Sequence, residues 1–115
     1  MDRNVFREMY AQAEPTVDPE WRAKVIDDSL SSLPENITGT ANLVIAVEEC
    51  SELAQEVTRW IRGKGDRTGI LEEIADVELA IDYVKKICGV RDDEIGKAIN
   101  AKLARLDARN AGKCS

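Results

Sequence analysis

The chain has 115 residues, 43% apolar and 33% charged, which describes one folded domain rather than a disordered segment. Its formal net charge of -6 lacks the basic footprint that non-specific nucleic-acid binding needs. It contains no histidine, which excludes Ser-His-Asp and Cys-His catalysis, zinc-finger sites and the Glu-x-x-His di-iron bundle.

The opening segment has no apolar core of signal-peptide length, and no run approaches a membrane span. A cytoplasmic location with no membrane partner is expected. Cys50, Cys88 and Cys114 lack metal-type spacing. Cys50 and Cys88 lie in apolar helical contexts and are expected to be buried free thiols. So small a domain buries a modest core, so association with a second copy is expected.

Ala, Leu, Ile, Glu, Lys and Arg prevail and alternating β-branched runs are absent, which predicts an all-α chain. A first helix is expected over about residues 2–12, with Val5, Phe6, Met9 and Tyr10 on one side. Asp18-Pro19-Glu20 is a helix start, with Asp as N-cap and Pro at the first helical position. That second helix carries Trp21, Val25, Ile26 and Leu30 and should end at Pro34. A turn is expected from Asn36 to Thr40. A third helix should run over about 41–62 and stop at Gly63, followed by a basic loop with Arg59, Arg62, Lys64 and Arg67 around it. A fourth should cover about 69–88, ending at Gly89. Asp92-Asp93-Glu94 begins a fifth, reaching about Asn110, with a loose tail from Ala111. The whole reads as one domain, 1–115: an N-terminal helical extension over 1–40, then motif-bearing helices over 41–110 that form a bundle.

Two acidic groups stand out, Glu48-Glu49-Cys50-Ser51-Glu52 and Glu73-Ile74-Ala75-Asp76, with twenty residues between Glu52 and Glu73. On the fourth helix Ile70, Ile74, Val77, Ile81, Val84 and Cys88 form an apolar stripe, and Glu73 and Asp76 lie in or beside that face. Glu72, Glu78 and Asp82 fall on another side, as solvated acids should. On the third helix Leu43, Ala46, Val47, Cys50, Leu53, Ala54, Val57 and Ile61 form the stripe. Glu49 is at its edge, Glu52 and Glu56 one step out, Glu48 further still. Carboxylates three apart on a helix have Cβ atoms about 5–6 Å apart and repel. Partial burial raises that cost unless a proton, a counter-charge or a metal answers it. Two facing pairs offer the hard oxygens that Mg²⁺ prefers, with Mn²⁺ as a possible substitute. An ion-pair reading competes, with Glu52 on Arg59 or Lys102. On the fifth helix Ile95, Ala98, Ile99 and Leu106 form the apolar face. Lys102 and Arg109 fall within it and Arg105 at its edge, as structural ion pairs or as phosphate clamps. Trp60 is either a core residue or a surface on which a base stacks.

The pattern Glu-Glu-x-x-Glu, a spacer, then Glu-x-x-Asp resembles the signature of MazG-like nucleoside triphosphate pyrophosphohydrolases, over about 41–109. The resemblance implies an all-α fold that dimerises or tetramerises, with helices of two subunits building each site. It implies Mg²⁺-dependent hydrolysis of a nucleoside triphosphate to the monophosphate and pyrophosphate. Glu49, Glu52, Glu73 and Asp76 would be the metal ligands, with Glu48 supporting and Glu49 or Glu52 as candidate general base. Lys102 and Arg109 match a late Lys and Arg that approach phosphates, while Leu106 stands where relatives often carry Asn. Phosphoribosyl-ATP pyrophosphohydrolase and a non-enzymatic helical module are the alternatives.

Overall fold

The computed structural model describes residues 3–32 and 35–113. They form five helices: α1 (Arg3–Gln12), α2 (Pro19–Ser31), α3 (Glu35–Ile61), α4 (Arg67–Cys88) and α5 (Asp92–Lys113), with no strand among them. The boundaries follow local chemistry. The Asp18 carboxylate accepts from the Glu20 amide at 2.9 Å, and Asp66 accepts from the Gly69 amide at 2.7 Å, capping α2 and α4. Gly63 and Gly89 take left-handed φ of 71° and 68°, which a side chain would strain. Just past them Lys64 N–H donates to Arg59 C=O and Val90 N–H to Lys85 C=O, both at 2.9 Å, closing α3 and α4 with C-terminal caps.

Two boundaries differ from expectation. The turn expected from Asn36 to Thr40 is helix, because α3 begins at Glu35. Gly39 sits inside it beside α4, where a Cβ would lie 3.8 Å from Ile87 Cγ2. The roughly 1 kcal/mol that an interior glycine costs a helix is small against a continued helix–helix contact. At the other end α5 runs on through Ala111 to Lys113. The stop expected at Pro34, like Cys114, lies outside the described residues.

The packed centre is the antiparallel α3–α4 hairpin. Gly39 meets Ile87 and Gly69 meets Glu56, which fixes the register. That register puts Ala46 level with Ala80, both buried, so small side chains let the two helices approach closely. It also puts Glu52 level with Glu73. The face of α3 turned to α4 therefore carries Asn42, Ala46, Glu49, Leu53 and Glu56, all buried or half-buried.

This corrects the expected core of α3. Val47 and Ile61 are 70% and 77% exposed, and Cys50, Ala54 and Val57 are exposed with them. Cys50 and Cys88 are accordingly exposed thiols, not buried ones. On α4 the stripe residues Ile74, Ile81 and Cys88 are likewise exposed. Both stripes are offset about a quarter turn from the hairpin contact in the same winding sense, which in an antiparallel pair places them on one side.

Helix α2 packs on the far side of α4. Ile26 is buried there, and Arg22 Nε reaches Asp82 Oδ2 at 2.6 Å. Asp82, expected to be a solvated acid, is thus half-buried and also 3.6 Å from Lys85 Nζ. Of α1, Phe6 is half-buried while Val5, Met9 and Tyr10 are exposed. Helix α5 projects: every side chain from Lys97 to Gly112 is exposed. The radius of gyration is 17.2 Å, against about 13 Å for a compact domain of this length. No helix is long and apolar enough to cross a membrane.

Candidate metal centre

The hairpin register brings the two acidic motifs together. Glu49 and Glu52 are one turn apart on α3, and α4 carries Glu73 opposite them. One carboxylate oxygen from each of Glu49, Glu52 and Glu73 lies within 4.8 Å of the other two. Glu52 is exposed, whereas Glu49 and Glu73 are half-buried. Glu49 Oε2 and Glu73 Oε2 are sealed from solvent and have no hydrogen-bond partner. Asp76, half-buried one turn along α4, is outside this tight trio. Its charge nevertheless acts on both Glu49 and Glu73.

The electrostatics follow from this crowding. Burial, then the charge of Glu52, then those of Asp76 and Glu49, push the Glu73 carboxyl up to about 7. Burial, followed by the charges of Asp76 and Glu52, raises Glu49. Burial, then Glu72, raises Asp76. No Lys or Arg among the described residues forms an ion pair with Glu49, Glu52, Glu73 or Asp76, so the Arg59 and Lys102 pairings weighed for Glu52 do not form. A three-oxygen cluster with two orphaned oxygens and no Lys or Arg partner among the described residues fits a hard divalent cation, which takes oxygen ligands and retains waters.

Next to this trio lies a group that the sequence reading missed. Glu72, expected to be solvated, is only 8% exposed. Arg3 Nε donates to Glu72 Oε2 at 3.3 Å, and Arg3 Nη2 lies 4.0 Å from Glu56 Oε1. Gly69 permits this approach: a Cβ there would stand 2.6 Å from Glu56 Oε2 and 3.2 Å from Arg3 Nη2. Glu56 therefore pairs with α1 rather than with Arg59 on its own helix. No periodicity joins residue 3 to residue 72, so no local signal pointed to this contact.

None of the cations considered for substrate contact pairs with the four carboxylates among the described residues. Trp60 is 53% exposed, which removes its reading as a core residue. Lys102, Arg105 and Arg109 are exposed on α5 and join no ion pair among the described residues. The loop cations Arg59, Arg62, Lys64 and Arg67 are exposed and unpaired in the same sense. Two clefts of about 520 and 400 Å³ flank α2, and neither contains any of the four carboxylates. The carboxylate cluster thus lies on the α3–α4 hairpin, apart from both clefts. Compared with known proteins, the chain matches no family model, no curated protein and no solved structure.

Proposed function

We propose that the chain is a Mg²⁺-dependent nucleoside triphosphate pyrophosphohydrolase that works as a homodimer or homotetramer. The observation that carries this reading is the convergence of Glu49, Glu52 and Glu73 with two buried, unpartnered carboxylate oxygens. Purely structural acids would have found counter-ions, as Glu72, Asp82 and Glu56 do.

Glu49, Glu52 and Glu73 would hold the cation, with Asp76 adding negative charge one turn away. When bound, a divalent cation neutralises a triphosphate and lowers the pKa of water. Glu49 or Glu52 accepts the proton of a water that attacks the α-phosphorus, and pyrophosphate leaves. Trp60 offers an exposed aromatic face to a base. The unpaired Lys102, Arg105 and Arg109 supply cations for phosphate oxygens.

The second subunit in this reading has independent support from area. The chain exposes 9153 Å², against about 6,300 Å² for a compact monomer of its mass, an excess of roughly 2,900 Å². Stable interfaces bury about 1,200–2,000 Å² in total and obligate ones more. On α3 the exposed Val47, Cys50, Ala54, Val57 and Ile61, and on α4 the exposed Ile74, Ile81 and Cys88, lie on stripes that repeat at the spacing of a helix–helix seam.

Incubation of the full chain with Mg²⁺ and a panel of canonical and modified dNTPs, NTPs and phosphoribosyl-ATP tests the activity. Release of monophosphate and pyrophosphate from a triphosphate, lost in Glu73→Gln, is the expected result. Turnover of phosphoribosyl-ATP alone would move the substrate class, and no turnover of any compound would overturn the enzyme reading.

A further inference from the structure

We infer that Arg3 is a positioning residue for the metal centre: a resident counter-ion that reserves Glu56 and Glu72 for the fold and confines divalent cations to Glu49, Glu52 and Glu73. This rests on the reading of that trio as a metal site.

The α3–α4 hairpin gathers six carboxylates over two helical turns: Glu49, Glu52 and Glu56 on α3, Glu72, Glu73 and Asp76 on α4. They divide into two layers with opposite treatment. In the layer nearer the loop, the Arg3 guanidinium spans both helices, 3.3 Å from Glu72 and 4.0 Å from Glu56. The side chains of Glu72 and Glu56 are 10% and 18% exposed, and Glu56 Oε2 lies where even a Cβ on Gly69 would stand only 2.6 Å from it, so little room is left for hydration water. A hydrated divalent cation dehydrates reluctantly, whereas a guanidinium is weakly hydrated and forked. In the other layer, Glu49 and Glu73 keep orphaned oxygens, and no Lys or Arg among the described residues pairs with either. Glu72 and Glu73 are adjacent in sequence, and Glu52 and Glu56 are one turn apart. Without Arg3 the two layers would be one continuous acidic strip, with no boundary to fix where a cation sits. Arg3 belongs to the first turn of α1, so the same contact fastens α1 across both helices of the hairpin.

A charge-balance cycle read by Mn²⁺ titration, without nucleotide, tests this on the full chain. In the wild type, Mn²⁺ binding that disappears in Glu73→Gln establishes the trio as the site. Its absence would sink the proposed function and this inference together. Arg3→Met is expected to bind an additional Mn²⁺ per chain, and that extra ion should persist in Arg3→Met/Glu73→Gln but vanish in Arg3→Met/Glu72→Gln. Glu72→Gln alone, which removes the charge at nearly unchanged side-chain volume, should weaken Mn²⁺ binding, because the Arg3 charge is then half-unanswered beside the trio. Wild-type stoichiometry and affinity in both Arg3→Met and Glu72→Gln would overturn the inference and leave Arg3 a structural clamp. Should Arg3→Met not fold, the Glu72→Gln titration decides alone. Failure of nucleotide hydrolysis with these metal results intact would overturn the activity and leave Arg3's role standing.

Discussion

Glu49 and Glu73 each turn Oε2 into a solvent-free position between α3 and α4 where no donor meets it. An unpartnered buried carboxylate is costly, so anything that satisfies both at once stabilises the folded chain. Added Mg²⁺ or Mn²⁺ is therefore expected to raise Tm in a concentration-dependent way, because a ligand of the folded state alone shifts the equilibrium by mass action. Glu73→Gln should lower metal affinity by about 100-fold or more, since even outer-shell partners are worth about 10–100-fold. A metal shift that survives Glu73→Gln would place the ion elsewhere.

The same crowding sets the pH response. Glu73 titrates near 4.5 in an unfolded chain and about 7 in the fold, so the folded state holds the proton more tightly. Its contribution to stability is complete below about 4.5 and is lost as pH rises through about 7. In metal-free buffer Tm should fall across this window, and Glu73→Gln should flatten the fall. Saturating Mg²⁺ should have its largest effect above pH 7, where the cation need not displace the proton. A metal-free Tm that rises between pH 5 and pH 7 in the wild type and is unchanged in Glu73→Gln would contradict this assignment.

Much of this was written locally. Asp18-Pro19, Gly63 and Gly89 announce helix ends because capping involves residues only a few positions apart. The inward direction of Glu49 and Glu73 was legible for a similar reason, since helical angle is fixed by spacing. What covers a face is not local. The apolar stripe of α3 is broad: it holds Leu43, Ala46 and Leu53, which are buried or half-buried, and Val47, Cys50, Ala54, Val57 and Ile61, which are exposed. Hydropathy does not tell the two edges apart. The hairpin uses the edge that carries Ala46 and Leu53, together with Glu49 and Glu56, because Ala46 against Ala80 allows close approach. The pairing of Arg3 with Glu72 spans almost seventy positions and leaves no periodic trace at all.

Trp60 separates binding from stability. Being 53% exposed, it should tolerate Trp60→Ala within about 0.5 kcal/mol of stability. A base stacked on it is worth about 1–3 kcal/mol, so nucleotide affinity should fall roughly 5- to 150-fold. Fluorescence titration with a nucleotide in Mg²⁺ reads both proteins, and equal affinities would remove Trp60 from the site.

The uncovered stripes make a prediction about assembly. Val47→Glu and Ile61→Glu place charge on residues that are 70% and 77% exposed in one chain, so neither should disturb the monomer fold by more than about 0.5 kcal/mol. Across a seam between two copies the same charge is desolvated, which costs several kcal/mol. Sedimentation equilibrium should therefore show an oligomer for the wild type and a folded monomer for either variant. Oligomers that persist in both would assign the interface to another face.

Gly69→Ala probes how α1 is fastened. The new methyl would stand 2.6 Å from Glu56 Oε2 and 3.2 Å from Arg3 Nη2, so both groups must move. Both are ends of flexible side chains, and alanine gains about 1 kcal/mol over glycine inside a helix. The net change in global stability should stay within about 1 kcal/mol, because the gain offsets the displacement. The local effect should be larger, since Arg3 can no longer span Glu56 and Glu72 from one position. Amide hydrogen exchange is expected to show α1 losing protection while α3 and α4 retain theirs, as a locally opened segment does. Equal loss across all three helices would instead make Gly69 a packing residue of the hairpin, with no specific part in seating Arg3.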